Sequence, residues 1–166
     1  MAAEHELIDE LKSYVGFTEA DEVELAALQG PASSHLEELL DRFYSAIQEH
    51  AGARAVFRDP AVQLPRQRRT LSDWILTILA GPYDARYAAR RIAIGKAHVR
   101  NRMPQRYMLT SMNLVRQWFV ELCVSQYRAE PERLTRSIHA VNRILDIELA
   151  MMLGTYRDDL LERMQR

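Results

Sequence analysis

Apolar residues recur at intervals of three and four along nearly all of the 166 residues, and this spacing most strongly limits how the chain can fold. A half-buried strand would need apolar and polar residues in alternation, and no such run occurs. Glycine is scarce, at 6 residues, and none follows an Asn or Asp as hairpin turns favour. We therefore predict an all-α fold.

The predicted helices are separated by short breaks that carry capping or helix-breaking residues. Thr18 is expected to be an N-cap with Asp21 at the capping-box position, and the Gly-Pro pair at 30–31 should stop that helix. Gly52 should close the next helix, and Pro65 either kinks the first turn of the following one or marks its start. The predicted helices cover about residues 5–12, 18–29, 31–50, 59–80, 84–100, 104–128 and 131–163.

The last predicted helix, 131–163, is apolar on two sides. Since a single small domain is expected to cover only one side, the other predicts a second copy of the chain. We expect the long helices 104–128 and 131–163 to form a dimeric four-helix bundle. One stripe consists of Leu134, Ile138, Val141, Leu145, Leu149, Met152 and Tyr156, and the second side adds Ile144, Ile147, Met151 and Leu160.

Composition and motifs exclude several classes of function. The formal net charge of −1 argues against general electrostatic binding of nucleic acid or an anionic membrane. No apolar run is long enough for a transmembrane helix, and the acidic N-terminus lacks the features of a signal peptide, so a cytoplasmic location is expected. The single cysteine, Cys123, excludes an internal disulfide and a zinc site built on cysteines. The sequence contains no nucleophile elbow, phosphate loop or dinucleotide fingerprint, so we expect no enzyme activity.

One histidine lies in a predicted helix among apolar residues, in the stretch RRIAIGKAHVRNRMPQRY at 90–107. His98 shares a face with Tyr87 and Ile94, and Gly95 one turn earlier would leave room for a flat group. The residues alone allow two interpretations: a histidine packed in the core, or a ligand in a pocket between helices. The arginines at 66–69 and 90–91 are interpreted as solvated helix faces.

The stretch from 94 to 107 resembles a motif of the globin-coupled sensors. That pattern is close to Ile-Gly-x-x-His-Val/Ala-Arg followed by Leu/Met/Ile-Pro-x-x-aromatic. Two earlier stretches, YVGFTEAD at 14–21 and HLEELLDRFYSAIQEH at 35–50, resemble the start of the first globin helix and the helix of the distal tyrosine. The similarity extends from about residue 7 to 165. The matching residues of the 94–107 motif are Ile94, Gly95, His98, Val99, Arg100, Met103, Pro104 and Tyr107.

This resemblance implies a globin fold with an extra N-terminal helix and no separate D helix. Residues 1–166 would form a single sensory globin domain, and the output domain would lie outside this chain. The implied cofactor is haem b, because a c-type haem would need Cys-x-x-Cys-His, which this sequence lacks.

The resemblance also assigns roles to particular residues. His98 would be the proximal iron ligand and Tyr44 the distal residue, with Thr70 as a second distal hydrogen bonder. Gln67 stands where many relatives have leucine, which leaves the polarity of the distal pocket open. The remaining expected pocket residues, of which Leu64, Leu71 and Trp74 rest on helical spacing only, are Phe57, Leu64, Leu71, Trp74, Ile94, Val99, Met103 and Tyr107.

The implied function is a gas sensor that binds O₂ reversibly, with CO, NO and cyanide as further ligands. Ligand state would be relayed through the dimer interface to an output module. Two alternatives remain at this stage: a helical dimerisation module without a cofactor, and a stand-alone oxygen carrier.

Overall fold

Eight helices and their short connections account for the described chain, which in this computed structural model comprises residues 2–165. No strand occurs among these residues, so the prediction of an all-α fold is confirmed. None of the described helices combines the length and apolar character that crossing a membrane requires. The helices are α1 (Ala2–Val15), α2 (Glu19–Ala27), α3 (Gln29–Glu49), α4 (Ala51–Arg54), α5 (Pro60–Ala80), α6 (Ala85–Arg100), α7 (Gln105–Tyr127) and α8 (Pro131–Met164).

Local capping signals locate several helix starts correctly. The Thr18 backbone N–H donates to Asp21 Oδ2 at 2.8 Å, as a capping box requires. Pro60 is the first residue of α5 and follows Asp59 as N-cap. Asp84 caps α6 by accepting a hydrogen bond from the Tyr87 backbone N–H at 3.0 Å. These contacts span three or four residues, and for that reason they can be read from the sequence.

Three predicted boundaries are wrong. The Gly-Pro pair at 30–31 does not stop a helix, because α2 ends at Ala27 and the pair lies in the first turn of α3. A proline is tolerated there because first-turn N–H groups have no acceptor within the helix. Gly52 does not close α3, which ends at Glu49, but lies inside the four-residue α4, and the leading helix is longer than predicted. Pro65 lies inside a continuous α5.

Helix α8 packs against α2, α6 and α7 and forms the centre of the domain. Its crossing with α6 depends on Gly95. A Cβ at that position would lie 2.6 Å from Thr155 Oγ1 and 3.1 Å from Met152 Cα, so only glycine allows the observed approach. Gly95 therefore faces α8, and the expectation that it leaves room for a flat group is wrong.

Three of the four residues on the second apolar side of α8 are covered by the chain itself. Ile144, Ile147 and Met151 are at most 2% exposed and need no partner, whereas Leu160 near the end of the helix is open. Six partly or fully exposed apolar residues on α8 share one face at spacings of three, four and eleven, and four of them belong to the first predicted stripe. This open stripe consists of Leu134, Ile138, Leu149, Leu153, Tyr156 and Leu160. Leu161 and Met164 are exposed near the end of the helix as well.

Candidate functional site

A cavity of about 140 Å³ lies between α3, α5, α6 and α7, with one side chain contributed by α8. Its wall is mainly aromatic and aliphatic, and a few polar side chains enter it. Apolar cavities between helices with few polar groups are the usual form of a small-molecule site in an all-α domain. The lining residues are Phe43, Tyr44, Ile47, Ala53, Phe57, Gln67, Thr70, Leu71, Trp74, Ile94, His98, Met103, Tyr107, Met108, Ser111, Met112, Val115 and Met152.

His98 reaches this cavity from the last turn of α6. Burial lowers the pKa of its imidazole, since desolvation disfavours the charged form. Its Nδ1 is buried and has no hydrogen-bond partner within residues 2–165. A neutral imidazole is the form that coordinates metals, so His98 is the residue here that is suited to that role.

Tyr44 enters the cavity from α3 and is 8% exposed. Its ring contacts Phe43 edge-on, with ring centroids 5.5 Å apart. Burial raises the pKa of its hydroxyl to about 12, so the group is neutral and able to donate at physiological pH. No hydrogen bond engages this hydroxyl in the part of the chain that the structure describes, which leaves its proton for a ligand in the cavity.

Thr70 and Gln67 also line the cavity, from α5, but as solvent-exposed residues at its edge. The Thr70 hydroxyl donates to the Arg66 carbonyl one turn earlier, at 3.1 Å. Such back-bonding occupies the hydroxyl proton in the helix itself. Among the predicted distal residues, Tyr44 is therefore the buried one and Thr70 the one already engaged.

Tyr107 and Met103 close the cavity near the start of α7. The space between α4 and α7 is narrow at this point, because a Cβ at Gly52 would overlap the Tyr107 hydroxyl. Met103 lies in the corner between α6 and α7. Its carbonyl accepts a hydrogen bond from Tyr156 Oη at 3.0 Å, which attaches this corner to α8.

Two predicted pocket residues lie elsewhere. Leu64 lines a neighbouring cavity, which it shares with Ile47 and Phe57. Val99 does not line either cavity, because it is rotated by about 100° from His98 around α6. The structure brings the other predicted residues together, namely Tyr44, Phe57, Gln67, Thr70, Leu71, Trp74, Ile94, His98, Met103 and Tyr107.

A buried carboxylate behind the cavity wall was not predicted. Glu148 of α8 is fully buried and accepts hydrogen bonds from Tyr87 Oη, from Arg91 Nε at 2.5 Å and from Trp74 Nε1 at 2.9 Å. Arg91 also donates to Thr77 Oγ1 at 2.9 Å. We refer to these five residues as the Glu148 cluster.

The Glu148 cluster corrects two predictions. Arg91 is 2% exposed, so the interpretation of 90–91 as a solvated face is wrong for this residue, although Arg90 is exposed. Tyr87 donates to Glu148 and does not line the cavity with His98. The signal was present in the sequence, since Arg91 lies four residues after Tyr87 on a buried face. The arginines at 66–69 lie at the surface, where Arg68 pairs with Glu37 and Asp41.

The electrostatics of the cluster are balanced by its hydrogen bonds. Burial raises the pKa of Glu148, whereas Arg91 and the donors Tyr87 and Trp74 act in the opposite direction. For Arg91, burial alone would lower the pKa, but the Glu148 carboxylate outweighs it and the pKa is raised. Three donors meet the two carboxylate oxygens, so a buried charge at Glu148 is both paired and hydrogen-bonded.

Comparison with known proteins identifies relatives of this chain. The family model described as Protoglobin matches residues 4–162. Among solved structures, the chain is 32% identical to the globin domain of the Geobacter sulfurreducens globin-coupled sensor, with a TM-score of 0.84, and the match covers 90% of this chain and 97% of the other.

Two further matches are more distant. The ferric globin domain of Escherichia coli DosC is 16% identical, with a TM-score of 0.74 over 89% of this chain and 98% of the other, which supports the fold. The heme-based aerotactic transducer HemAT of Halobacterium salinarum is 27% identical over 86 residues. That match covers 52% of this chain and 18% of HemAT, so the chain spans less than a fifth of that relative's length.

Proposed function

Because the chain belongs to the protoglobin family and resembles the sensory domains of globin-coupled sensors, we propose that it is a haem-based O₂ sensor domain. The observation that carries the proposal is a single cavity lined by both the neutral imidazole of His98 and the unengaged hydroxyl of Tyr44. The first is a ligand for iron and the second a donor for a gas molecule. Their meeting in one apolar cavity supports reversible ligand binding more than a purely structural role.

The residues present fit a haem group. One neutral imidazole at the end of α6 can hold the iron. The buried Nδ1 of His98 has no hydrogen-bond partner among the described residues, so the side chain makes no hydrogen bond that would give it a purely structural role. Haem b held in this way would supply an iron that binds O₂, CO or NO in its ferrous state and cyanide in its ferric state. Phe57, Leu71, Ile94 and the methionines of α7 would provide apolar walls that exclude water.

Tyr44 is proposed as the main distal donor, with Thr70 and Gln67 as exposed residues at the edge. A neutral hydroxyl in an apolar cavity can stabilise a ligand that acquires partial negative charge. Thr70 is less suited, since its proton is directed to the Arg66 carbonyl.

Residues 1–166 are proposed to form one sensory domain of a longer signalling protein with a separate output module. The open stripe on α8, together with Leu109 and Val124 on α7, is the proposed contact with a second copy. Since Tyr156 of this stripe bonds the corner at Met103, a change at the cavity edge can reach the dimer contact through a single side chain.

Haem binding through His98 is tested by absorbance of the purified chain. We expect a Soret band that shifts on reduction and on addition of CO, and loss of most bound haem in His98→Ala. The matched control is His139→Ala, because His139 is exposed on α8 and lies outside the cavity. A colourless chain that stays helical and does not take up haem would favour a cofactor-free dimerisation module. Equal haem content in both variants would refute His98 as the ligand.

A further inference from the structure

The two carboxylate oxygens of Glu148 accept hydrogen bonds from different helices. Oε1 accepts from Tyr87 and Arg91, which both lie on α6, whereas Oε2 accepts from the Trp74 indole on α5. Trp74 is also part of the cavity wall. One buried carboxylate on α8 therefore contacts both a wall residue of the cavity and the helix that carries His98.

The α6 contact is close to His98 along the helix. Arg91 precedes His98 by seven residues, which is about two turns, so the two side chains lie on similar faces of α6. Arg91 additionally donates to Thr77, which is three residues after Trp74 on α5. The cluster thus connects α5 and α6 to each other as well as to α8.

The cost of desolvating Glu148 and Arg91 argues against stability as the sole reason for a charge at this position. Replacing a buried ion pair by apolar residues of similar volume is often neutral or stabilising, so the pair by itself is weak evidence for a stabilising role. A charged acceptor with two oxygens does something that apolar packing cannot, since it sets the direction of each donor. The donor on the cavity side is the Trp74 indole.

We propose that Glu148 is a positioning residue of the gas-binding cavity, which holds the Trp74 indole against the cavity through Oε2 and the His98 helix through Oε1. The inference rests on the proposed function, because it concerns the same cavity. Removal of either side of the Trp74–Glu148 hydrogen bond then frees the indole and loosens the wall. Entry of a gas molecule into the cavity should become faster, without loss of the haem ligand.

Glu148→Gln is the informative substitution because it preserves shape and removes one acceptor. With its amide oxygen directed to Tyr87 and Arg91, the amide nitrogen opposes the Trp74 N–H, so the two donors repel each other. Trp74→Phe removes the same hydrogen bond from the other partner. The expected result is CO association that is about 3- to 10-fold faster in each variant, with no further gain in the double variant, since interacting residues are not additive.

The matched control is Glu24→Gln. Glu24 is another buried carboxylate bonded to α8, through Ser137 at 3.0 Å, but it does not line the cavity. This control should lower the unfolding temperature and leave CO association unchanged, which separates positioning from stability. Ultraviolet resonance Raman spectra in a Trp118→Phe background report the Trp74 indole alone, and its hydrogen-bond band should shift in Glu148→Gln.

Each outcome bears on the inference. Association rates within twofold of the unmodified chain in Glu148→Gln and Trp74→Phe would overturn it while the haem-based function stands. Equal acceleration in Glu24→Gln would also overturn it, because general loosening would then suffice. An unshifted indole band would overturn the hydrogen bond itself. A chain that takes up no haem would overturn both the inference and the proposed function.

Discussion

At the scale of single residues, the burial and hydrogen bonding of each hydroxyl decide which side chain can donate a hydrogen bond to a ligand. Tyr44 and Thr70 are both polar residues of the cavity, and the motif resemblance implies Tyr44 as the distal residue and Thr70 as a second hydrogen bonder. The structure separates them by burial and by hydrogen bonding, since Tyr44 is 8% exposed with an unengaged hydroxyl and Thr70 is exposed and bonded to Arg66. This difference leads to two predictions about ligand release and its pH dependence.

Tyr44→Phe should accelerate O₂ release by roughly 5- to 30-fold, which corresponds to a lost hydrogen bond of about 1–2 kcal/mol. The phenyl ring keeps the contact with Phe43, so packing is largely preserved. CO release should change much less, because bound CO carries little charge. Stopped-flow release rates measure both. Thr70→Val is the matched comparison, and a tenfold effect there with an effect below twofold for Tyr44→Phe would show that Thr70 is the donor.

O₂ release should not depend on pH between about pH 6 and pH 10. Burial raises the Tyr44 pKa to about 12, so the hydroxyl stays protonated throughout this interval and remains a donor. Because the folded chain favours the neutral form of Tyr44, this group lowers the free energy of unfolding only as the pH rises above the ordinary tyrosine pKa of about 10. A release rate that increases with a midpoint below pH 9 would contradict this assignment.

At the scale of helices, the crossing of α6 and α8 sets the position of the histidine helix. Gly95 allows this close approach, one turn before His98, and the Glu148 cluster fixes the same two helices a turn earlier. The position of His98 thus depends on packing against α8 rather than on the cavity alone.

Gly95→Ala should lower the free energy of unfolding by about 1–2 kcal/mol. The added methyl would overlap Thr155 Oγ1 and approach the Met152 backbone, which costs more than the better helix propensity of alanine returns. Gly154→Ala is a matched control on α8, because a Cβ there meets nothing within 4 Å, and it should raise stability by up to about 1 kcal/mol. Urea unfolding monitored by circular dichroism compares the two, and equal stability would contradict the close crossing.

At the scale of the whole molecule, the middle of α8 is buried by the chain that contains it, with its buried residues lying between Ser137 and Thr155. Ile144, Ile147 and Met151 on its second apolar side are covered internally, so the proposed dimer contact depends on the half-open stripe and on the exposed end of the helix. Leu160 is 58% exposed there.

Leu153→Glu combined with Leu160→Glu should convert the proposed dimer to monomers, because two charges from each copy would be buried in the interface without partners. The matched control is Val23→Glu with Val62→Glu, since both valines are exposed on α2 and α5 and outside the proposed contact. Light scattering at micromolar concentration reports the mass. A monomer for the unmodified chain, or equal masses for both double variants, would remove this interface.

The sequence by itself determined the helical class and most helix starts. Periodicity of three and four, the N-caps Asp59 and Asp84, and the capping box at Thr18 depend on residues within one turn of each other. The motif around His98 also predicted the family, which the comparisons confirm. Spacing within one helix placed Leu71 and Trp74 at the cavity, but it did not place Leu64 there, and the motif residue Val99 does not line the cavity either.

Only the tertiary structure decided which neighbour each helix face meets. Gly95 was expected to face a flat group and instead meets Thr155, sixty residues later, whereas Arg91 was expected in solvent and instead pairs with Glu148. The same holds for Ile144, Ile147 and Met151 on the second apolar side of α8, which the chain itself covers. Periodicity indicates that a helix face is apolar, or that a charged residue interrupts it. Whether these side chains are buried or paired depends on which distant segment packs against the face. That choice is made by the packing of the whole core.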